Sequence, residues 1–381
     1  MNSNWQECKL GDVGIVVTGK TPSSKSPGDF GHEIPFVTPT DYRNYHKAVS
    51  FADRYLSFAG VEKLKNKILP PKSVMVTCIG SDMGKVAINS IPVVTNQQIN
   101  SIISNSSKVD PGFLYYKLVE SYDVLRSYGL AGTAVPIVNK TDFEGVAVLL
   151  PPLPEQRAIA GVLSSLDDKI DLLHRQNKTL EGMAEALWRK MFVEDTKNLK
   201  IVNLGEIIEI HDSKRIPLSS MQREKMKDGV LYPYYGAATV MDHINQYIFD
   251  GEYLLLGEDG TVETDDGYPV LQLATGKFWV NNHTHVLRAK KPFSNFLLYI
   301  ILRSTNITHI VTGAVQPKIN QENLKSLEIS SARDITVNEL SVVADNFWQK
   351  IQANNFHIRT LSRLRDTLLP KLMTGEVRVR L

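Results

Sequence analysis

The sequence predicts an α+β protein. Two similar mixed α/β domains are separated by two long helices packed as an antiparallel coiled coil, in a pseudo-twofold internal repeat. Three observations predict this. Each half opens alike, Lys9-Leu10-Gly11-Asp12-Val13 against Asn203-Leu204-Gly205-Glu206-Ile207. Further on, Gly132-Thr133-Ala134-Val135-Pro136-Ile137-Val138-Asn139 falls on Gly313-Ala314-Val315-Gln316-Pro317-Lys318-Ile319-Asn320 at an offset of 181, which also carries Leu166-Asp167-Asp168-Lys169-Ile170 onto Phe347-Trp348-Gln349-Lys350-Ile351. An offset kept without a gap marks a duplicated unit. Finally, each half closes on a stretch whose apolar positions step alternately by three and four, the seam of a coiled coil.

The 381 residues divide into a first domain (1–150), a first spacer helix (151–196), a second domain (197–333) and a second spacer helix with tail (334–381). Each domain is irregular. Short β-rich runs such as Ser73-Val74-Met75-Val76-Thr77 and Tyr253-Leu254-Leu255-Leu256 are punctuated by glycine, proline and asparagine. Pro151-Pro152-Leu153-Pro154 stiffens the start of the first helix, because proline fixes its own φ and disfavours helix in its predecessor. That helix carries Ile159, Leu163, Leu166, Ile170, Leu173, Asn177, Leu180, Ala184, Leu187 and Met191 on one seam. Thr336 with Glu339 suggests a capping box for the second helix. Its seam reads Leu340, Ala344, Phe347, Ile351, Asn354, Ile358, Leu361, Arg365 and Leu368, and Pro370 should end or kink it.

Antiparallel packing sets a further expectation. Placing Asn177 opposite Asn354 brings Ala184 to Phe347, Leu187 to Ala344, Leu180 to Ile351 and Leu173 to Ile358. Small residues then meet large ones and the two amides meet each other. Arg365 falls opposite Leu166, a poor pair unless its head reaches Asp167 or Asp168.

Composition excludes several classes. Charge is nearly balanced, 43 basic against 41 acidic residues, and no segment is strongly basic, so bulk charge makes no case for nucleic acid. No apolar run is long enough to span a membrane, and the first residues lack a secretory pattern. Two cysteines, Cys8 and Cys78, build neither a zinc site nor a disulfide scaffold, so a cytoplasmic setting is expected. Gly14-Ile15-Val16-Val17-Thr18-Gly19-Lys20-Thr21 matches the phosphate-loop pattern. However, Ile-Val-Val-Thr reads as strand, and Pro22 to Gly28 will not open a helix. No methyltransferase, zinc-protease, EF-hand or nucleophile-elbow motif occurs, so no catalytic residue is assigned. His283 and His285 lack a cysteine or acid spaced to complete a metal site and read as a polar edge or DNA-facing loop. Glu258-Asp259 and Asp265-Asp266 read as solvated turns.

What remains is a set of polar loops. In the first half they offer Lys20, Thr21, Ser23, Lys25, Thr38, Thr40, Arg43, Ser81, Lys85, Asn96 and Gln97. In the second they offer Lys214, Arg215, Tyr235, Asn282, His283, Gln316 and Lys318. Arg, Lys, Asn and Gln make paired hydrogen bonds to base edges, and Ser and Thr hold phosphates, so these are the candidate DNA contacts.

The whole chain resembles the DNA-specificity subunit of type I restriction–modification enzymes. The resemblance is carried by Leu10-Gly11-Asp12-Val13, Thr18-Gly19-Lys20-Thr21-Pro22, Ile34-Pro35-Phe36-Val37-Thr38-Pro39-Thr40-Asp41, Leu150-Pro151-Pro152-Leu153-Pro154-Glu155-Gln156 and the tail Leu368-Leu369-Pro370-Lys371-Leu372-Met373-Thr374-Gly375-Glu376-Val377. Ile329 to Asp334 departs from it, replacing the proline-rich lead into the second helix. The resemblance implies two target-recognition domains, each reading half of a split double-stranded DNA target. The helices would serve as spacer and dock two modification subunits that methylate adenine with S-adenosylmethionine. Restriction subunits would add ATP- and Mg-dependent translocation and cleavage, so this chain would itself hold no cofactor. Candidate docking residues are Arg175, Lys178, Glu185 and Arg189 on one helix and Arg359, Arg363 and Asp366 on the other. The alternative is a two-domain coiled-coil scaffold without sequence-specific DNA binding.

Overall fold

A computed structural model describes residues 4–23, 25–44, 47–130, 136–194, 199–313 and 315–380. Gly132 to Val135 and Ala314 of the repeat match lie outside the described residues. The chain forms two compact units, Met1–Leu173 with Phe356–Leu381, and His174–Asn355. The division falls inside both long helices, so each unit holds a stretch of each one rather than the helices standing as separate segments. Among the described residues no helix is long and apolar enough to cross a membrane.

In the first unit a five-stranded sheet runs in the order Gly14–Thr18, Ile99–Ser104, Val74–Thr77, Val86–Asn89, Ala48–Val49. Val74 to Thr77 are all buried, which is why Val74, Met75 and Val76 are apolar in succession instead of alternating with polar residues. A smaller sheet pairs Ile34–Val37 in parallel with Val94–Thr95. Strand Gln6–Lys9 pairs with Ala147–Leu150, joining the opening of the domain to the approach to the first long helix. The phosphate-loop lookalike is strand through Thr18. The Gly19 and Lys20 amides donate to Ile99 O (3.1 Å) and Thr95 O (2.9 Å), so they hold a sheet edge and are not free for phosphate.

The second unit repeats this plan. Its six-stranded sheet runs Ile208–Ile210, Thr284–Ala289, Phe249–Gly257, Leu271–Val280, Tyr232–Tyr235, Val240–Ile244, and Lys200–Asn203 pairs with Glu328–Ser331. Short helices at Pro111–Glu120 and Asn295–Arg303 are capped by Asp110 and Ser294 side chains that accept from Phe113 N and Leu297 N.

The first long helix spans Leu153–Arg189 and continues as a π-helical turn, Lys190–Glu194. Its proline-rich start has a visible purpose. The Gln156 amide donates to Pro151 O (2.8 Å) and Lys108 O (3.1 Å) and accepts from Asp110 N (2.9 Å). Glu155 takes a two-pronged bond from Arg378 in the tail, at 2.8 and 2.7 Å.

The second long helix spans Asp334–Thr374, which corrects two expectations. Thr336 sits in the first turn and is not a cap, because the first helical bond already runs from Val337 N to Arg333 O (3.0 Å). Pro370 does not end the helix. It removes one backbone donor, but Leu372 and Met373 are buried in the core of the first unit and carry the helix one turn further. Gly375, at φ +73, then stops it.

The expected register holds within each unit. In the second, Asn354 Nδ2 donates to Asn177 Oδ1 (2.8 Å), and Ala184, Leu180, Leu187, Ala344, Phe347 and Ile351 share one apolar core. In the first, Arg365 Nη1 reaches Asp167 Oδ1 at 2.9 Å. Asp167 also accepts from the Tyr116 hydroxyl (2.5 Å), which in turn accepts from Lys47 Nζ (3.1 Å). Burial lowers the Lys47 pKa, opposed by the nearby Asp167 and Asp168.

Candidate nucleic-acid interface

Several of the candidate loops meet, in each unit, at the end of one central strand, and the hydrogen bonds that gather them are duplicated. Asn96 N donates to Val37 O at 3.0 Å, and Asn281 N to Tyr235 O at 3.1 Å. The Asn96 side chain accepts from Gln98 N (3.1 Å), and that of Asn281 from His283 N (2.9 Å). Cys78 N bonds Gln98 O, and Glu258 N bonds His283 O. Gly80 N bonds Pro136 O, and Gly260 N bonds Pro317 O. Both glycines have positive φ, which a side chain would strain. Asn139 and Asn320 then cap the next short helices.

In the first unit this scaffold brings Lys20, Thr21, Thr38, Asn96 and Gln97 together. Thr21 Oγ1 donates to Gln97 Oε1 (2.6 Å), and both residues are exposed. With its Oε1 engaged by Thr21, the Gln97 amide has no partner for its NH2 among the described residues and can donate outward. Asn96 and Thr38 differ from expectation. Asn96 is 7% exposed and its amide is used on Gln98 (2.8 Å), while the Thr38 hydroxyl donates to Asp41 (2.7 Å). Both hold the loop and leave the outward contacts to others. Ser81 and Lys85 join through the Gly80 turn, with Lys85 ion-paired to Asp82 (2.6 Å). Ser23 and Lys25 are exposed on a local turn, and Thr40 and Arg43 are exposed on the short helix Pro39–Asn44. Among the described residues no side-chain hydrogen bond ties these four to the central cluster.

In the second unit Lys214, Asn282 and Gln316 are exposed. Arg215 is a correction. Its guanidinium is bound to Glu258 (2.5 Å), Thr284 O (2.6 Å), Asp212 O (3.0 Å) and Asp212 Oδ2 (3.5 Å), with the side chain 12% exposed, so it cements the loop from within. His283 pairs with Asp259, and Lys318 lies 3.6 Å from Glu258. Glu258, ion-paired to Arg215, and Asp259, hydrogen-bonded to His283, thus anchor the loop and are not solvated turns. The Tyr235 ring is half-buried, edge-on to Phe278, and burial raises its hydroxyl pKa, so it packs inward.

His285 departs most from expectation. It is fully buried, so it faces neither DNA nor a polar edge. Acids distant in sequence do reach it, since Asp212, Glu258 and His285 present ligand atoms within 4.8 Å of one another. The donors are already engaged, however. The ring bonds Asp212 Oδ2 (2.6 Å) and Ile319 O (2.8 Å), and Arg215 supplies the cation beside Glu258. Burial opposes ionisation of Asp212, but the His285 hydrogen bond and charge, Val286 N–H and Arg215 together hold its pKa below the usual carboxylate value.

With this duplicated scaffold in view, the similarity to known proteins is specific. The family described as "Type I restriction modification DNA specificity domain" matches residues 2–182 and, a second time, 196–331. The chain belongs to that family. Among curated relatives, the Type I restriction enzyme MjaIX specificity subunit of Methanocaldococcus jannaschii is 26% identical over 413 residues, covering 99% of this chain and 94% of that one. The HindI specificity subunit of Haemophilus influenzae is 33% identical over 149 residues, 39% of this chain and 32% of that one. The crystal structure of a type I S subunit from M. genitalium shares the fold, with a TM-score of 0.64 and 15% identity over 98% of this chain and 97% of that one.

The family's long helices carry the remaining candidates. Arg175, Lys178, Arg189, Arg359, Arg363 and Asp366 are exposed. Glu185 is half-buried and bonds Arg189 (3.2 Å). Phe356 (61%) and Leu364 (45%) add apolar surface that the sequence reading placed nowhere. That reading also missed Thr18 with Asn100 and Asp212 with His285. Their signal was an equal spacing, Asn96 to Asn100 and Asn281 to His285.

Proposed function

We propose that this chain is the sequence-specific DNA-binding subunit of a type I restriction–modification complex. Each unit reads one half of a bipartite double-stranded target. Its long helices set the spacing between the halves and dock two modification subunits on their exposed faces, and restriction subunits join through that complex. One observation carries the reading. The two units gather their loops with the same backbone hydrogen bonds yet expose different side chains at the end, Gln97 and Thr21 in one, Asn282 and Gln316 in the other. One scaffold with two sets of readers is what two different half-sites require. Exposed Lys20, Lys25, Arg43 and Lys214 suit phosphates, while the amides suit base edges.

The chain contributes recognition and no catalytic residue. S-adenosylmethionine, ATP and Mg would bind the partner subunits, which also supply part of the phosphate contact that a nearly neutral chain lacks. Such a complex works in the cytoplasm, where its DNA is. The test exchanges residues 1–150 for those of a relative with a known target and sequences the methylated DNA. One half of the motif should change and the other stay. A change in both halves counts against modular reading. Absence of any sequence preference in mobility shifts, with the modification subunits present, would leave a scaffold.

A further inference from the structure

The two units hold equivalent carbonyls by different chemistry. In the first, Thr18 Oγ1 donates to Asn100 Oδ1 (2.7 Å), and Asn100 Nδ2 donates to Val138 O (3.1 Å). All three groups are neutral. In the second, Asp212 takes the place of Thr18, His285 that of Asn100, and Ile319 O that of Val138 O. Asp212 also accepts from Val286 N (2.9 Å) and Gln321 Nε2 (2.7 Å) and lies 3.5 Å from the Arg215 guanidinium, a set of donors that keeps it a carboxylate. A carboxylate and a carbonyl only accept. A ring bonded to one through each nitrogen must therefore carry a proton on both.

The carbonyl so held has a purpose. Ile319 follows loop 312–318, which is closed by paired bonds between Thr312 and Lys318 (2.8 and 2.7 Å) and by Gly260 N to Pro317 O (3.0 Å). Of its described residues, Gln316 is exposed and Val315 is 100% exposed.

We propose that His285 is a positioning residue for DNA recognition. As a buried imidazolium it fixes the anchor of loop 312–318, a task that Asn100 performs without charge in the other unit. This rests on the DNA-specificity reading above. The charged groups around the ring are Asp212 on one side and Glu258 at 3.8 Å, with Arg215 and Lys318 bound to that glutamate. Two anions against the ring and two cations beyond them favour a charged imidazole at the centre.

The test has two arms on the full chain. Nitrogen-15 NMR of histidine-labelled protein, without DNA, should show both His285 ring nitrogens protonated at pH 7. A neutral single tautomer would overturn the proposal, whatever becomes of DNA binding. In the second arm, complexes with the modification subunits are titrated with duplexes altered in one half-site or the other. His285→Asn leaves Asp212 without its ring partner and should lower discrimination at the second half-site about tenfold, the scale of one charged hydrogen bond, with the first half-site unchanged. Adding Asp212→Thr transplants the first unit's neutral pair and should restore most of it. Equal losses at both half-sites, or no rescue, would overturn positioning. If His285→Asn fails to fold, the double variant against wild type decides, because the proposal requires the neutral pair to support recognition. Wild-type complex that ignores changes in both half-sites refutes the function itself, while the NMR arm still decides the charge.

Discussion

Replacing Asn177 by leucine should destabilise the second unit, and replacing Asn354 as well should restore most of the loss. Asn354 is fully buried. Its Nδ2 donates to Asn177 Oδ1 at 2.8 Å and has only Gln176 Oε1 at 3.5 Å besides, while its Oδ1 has no partner among the described residues. Asn177→Leu therefore leaves the buried Asn354 amide only the long contact to Gln176, at a cost of about 1–3 kcal/mol that the leucine's own burial offsets only in part. Asn354→Leu removes the group that is already half-satisfied and leaves Asn177 its bond to Asn355 Oδ1 (2.8 Å), so it should cost less. In the double variant no buried amide remains on the seam, and the coupling should reach about 1 kcal/mol or more. The His174–Asn355 unit is of a size that moves roughly 2–4 °C per kcal/mol. Urea melts followed by tryptophan fluorescence suit the question, since Trp188, Trp279 and Trp348 lie in this unit and only Trp5 in the other. Additive losses in the double variant, or Asn354→Leu worse than Asn177→Leu, would refute the reasoning.

Gln97→Ala should relax the target at one position of the first half-site, whereas Lys20→Ala should weaken all sequences alike and reduce the salt dependence of binding; methylation profiling and mobility shifts at two salt concentrations separate them. Asp212 has a folded pKa below its unfolded one. Its contribution is therefore complete above about pH 4, the unfolded carboxylate value, and is lost as pH falls through the folded value. Acid melts of Asp212→Asn should show a shallower limb below pH 4 than wild type, and an unchanged limb would contradict the pairing. Matched heptads inserted after Gln176 and after Asn355 keep the seam and add about 10.5 Å of helix, roughly three base pairs at 3.4 Å each. The methylated motif should keep both halves and gain about three unread positions; an unchanged gap in an active complex would remove the helices as the ruler.

The parts of this molecule that could be read from the sequence are those whose partners are fixed by a local period. Two seams, each constrained by its own helix, left one sensible register, and the Asn177–Asn354 bond and the reach of Arg365 to Asp167 followed from it. The helix ends were less legible, because Thr336 and Pro370 have strong local preferences that burial of neighbouring residues overrides. The recognition scaffold was hidden for a different reason. The separation of equivalent residues shifts from 194 (Leu10, Leu204) to 198 (Val37, Tyr235) and 185 (Asn96, Asn281) before settling at 181 (Val138, Ile319), so insertions break the repeat where the loops lie. Its bonds also join distant residues: Asp212 to His285 spans 73 positions and Arg215 to Glu258 spans 43. No periodicity reports such a pair. An arginine in a polar loop looks like a base reader until the carboxylates that claim it are located. A residue's type states what it can bond, and the fold decides whether that capacity faces inward or out. Here the inward set, Thr18 with Asn100 and Asp212 with His285, keeps the same geometry in both units through different chemistry. The outward set is free to differ, which is the division of labour a two-part reader needs.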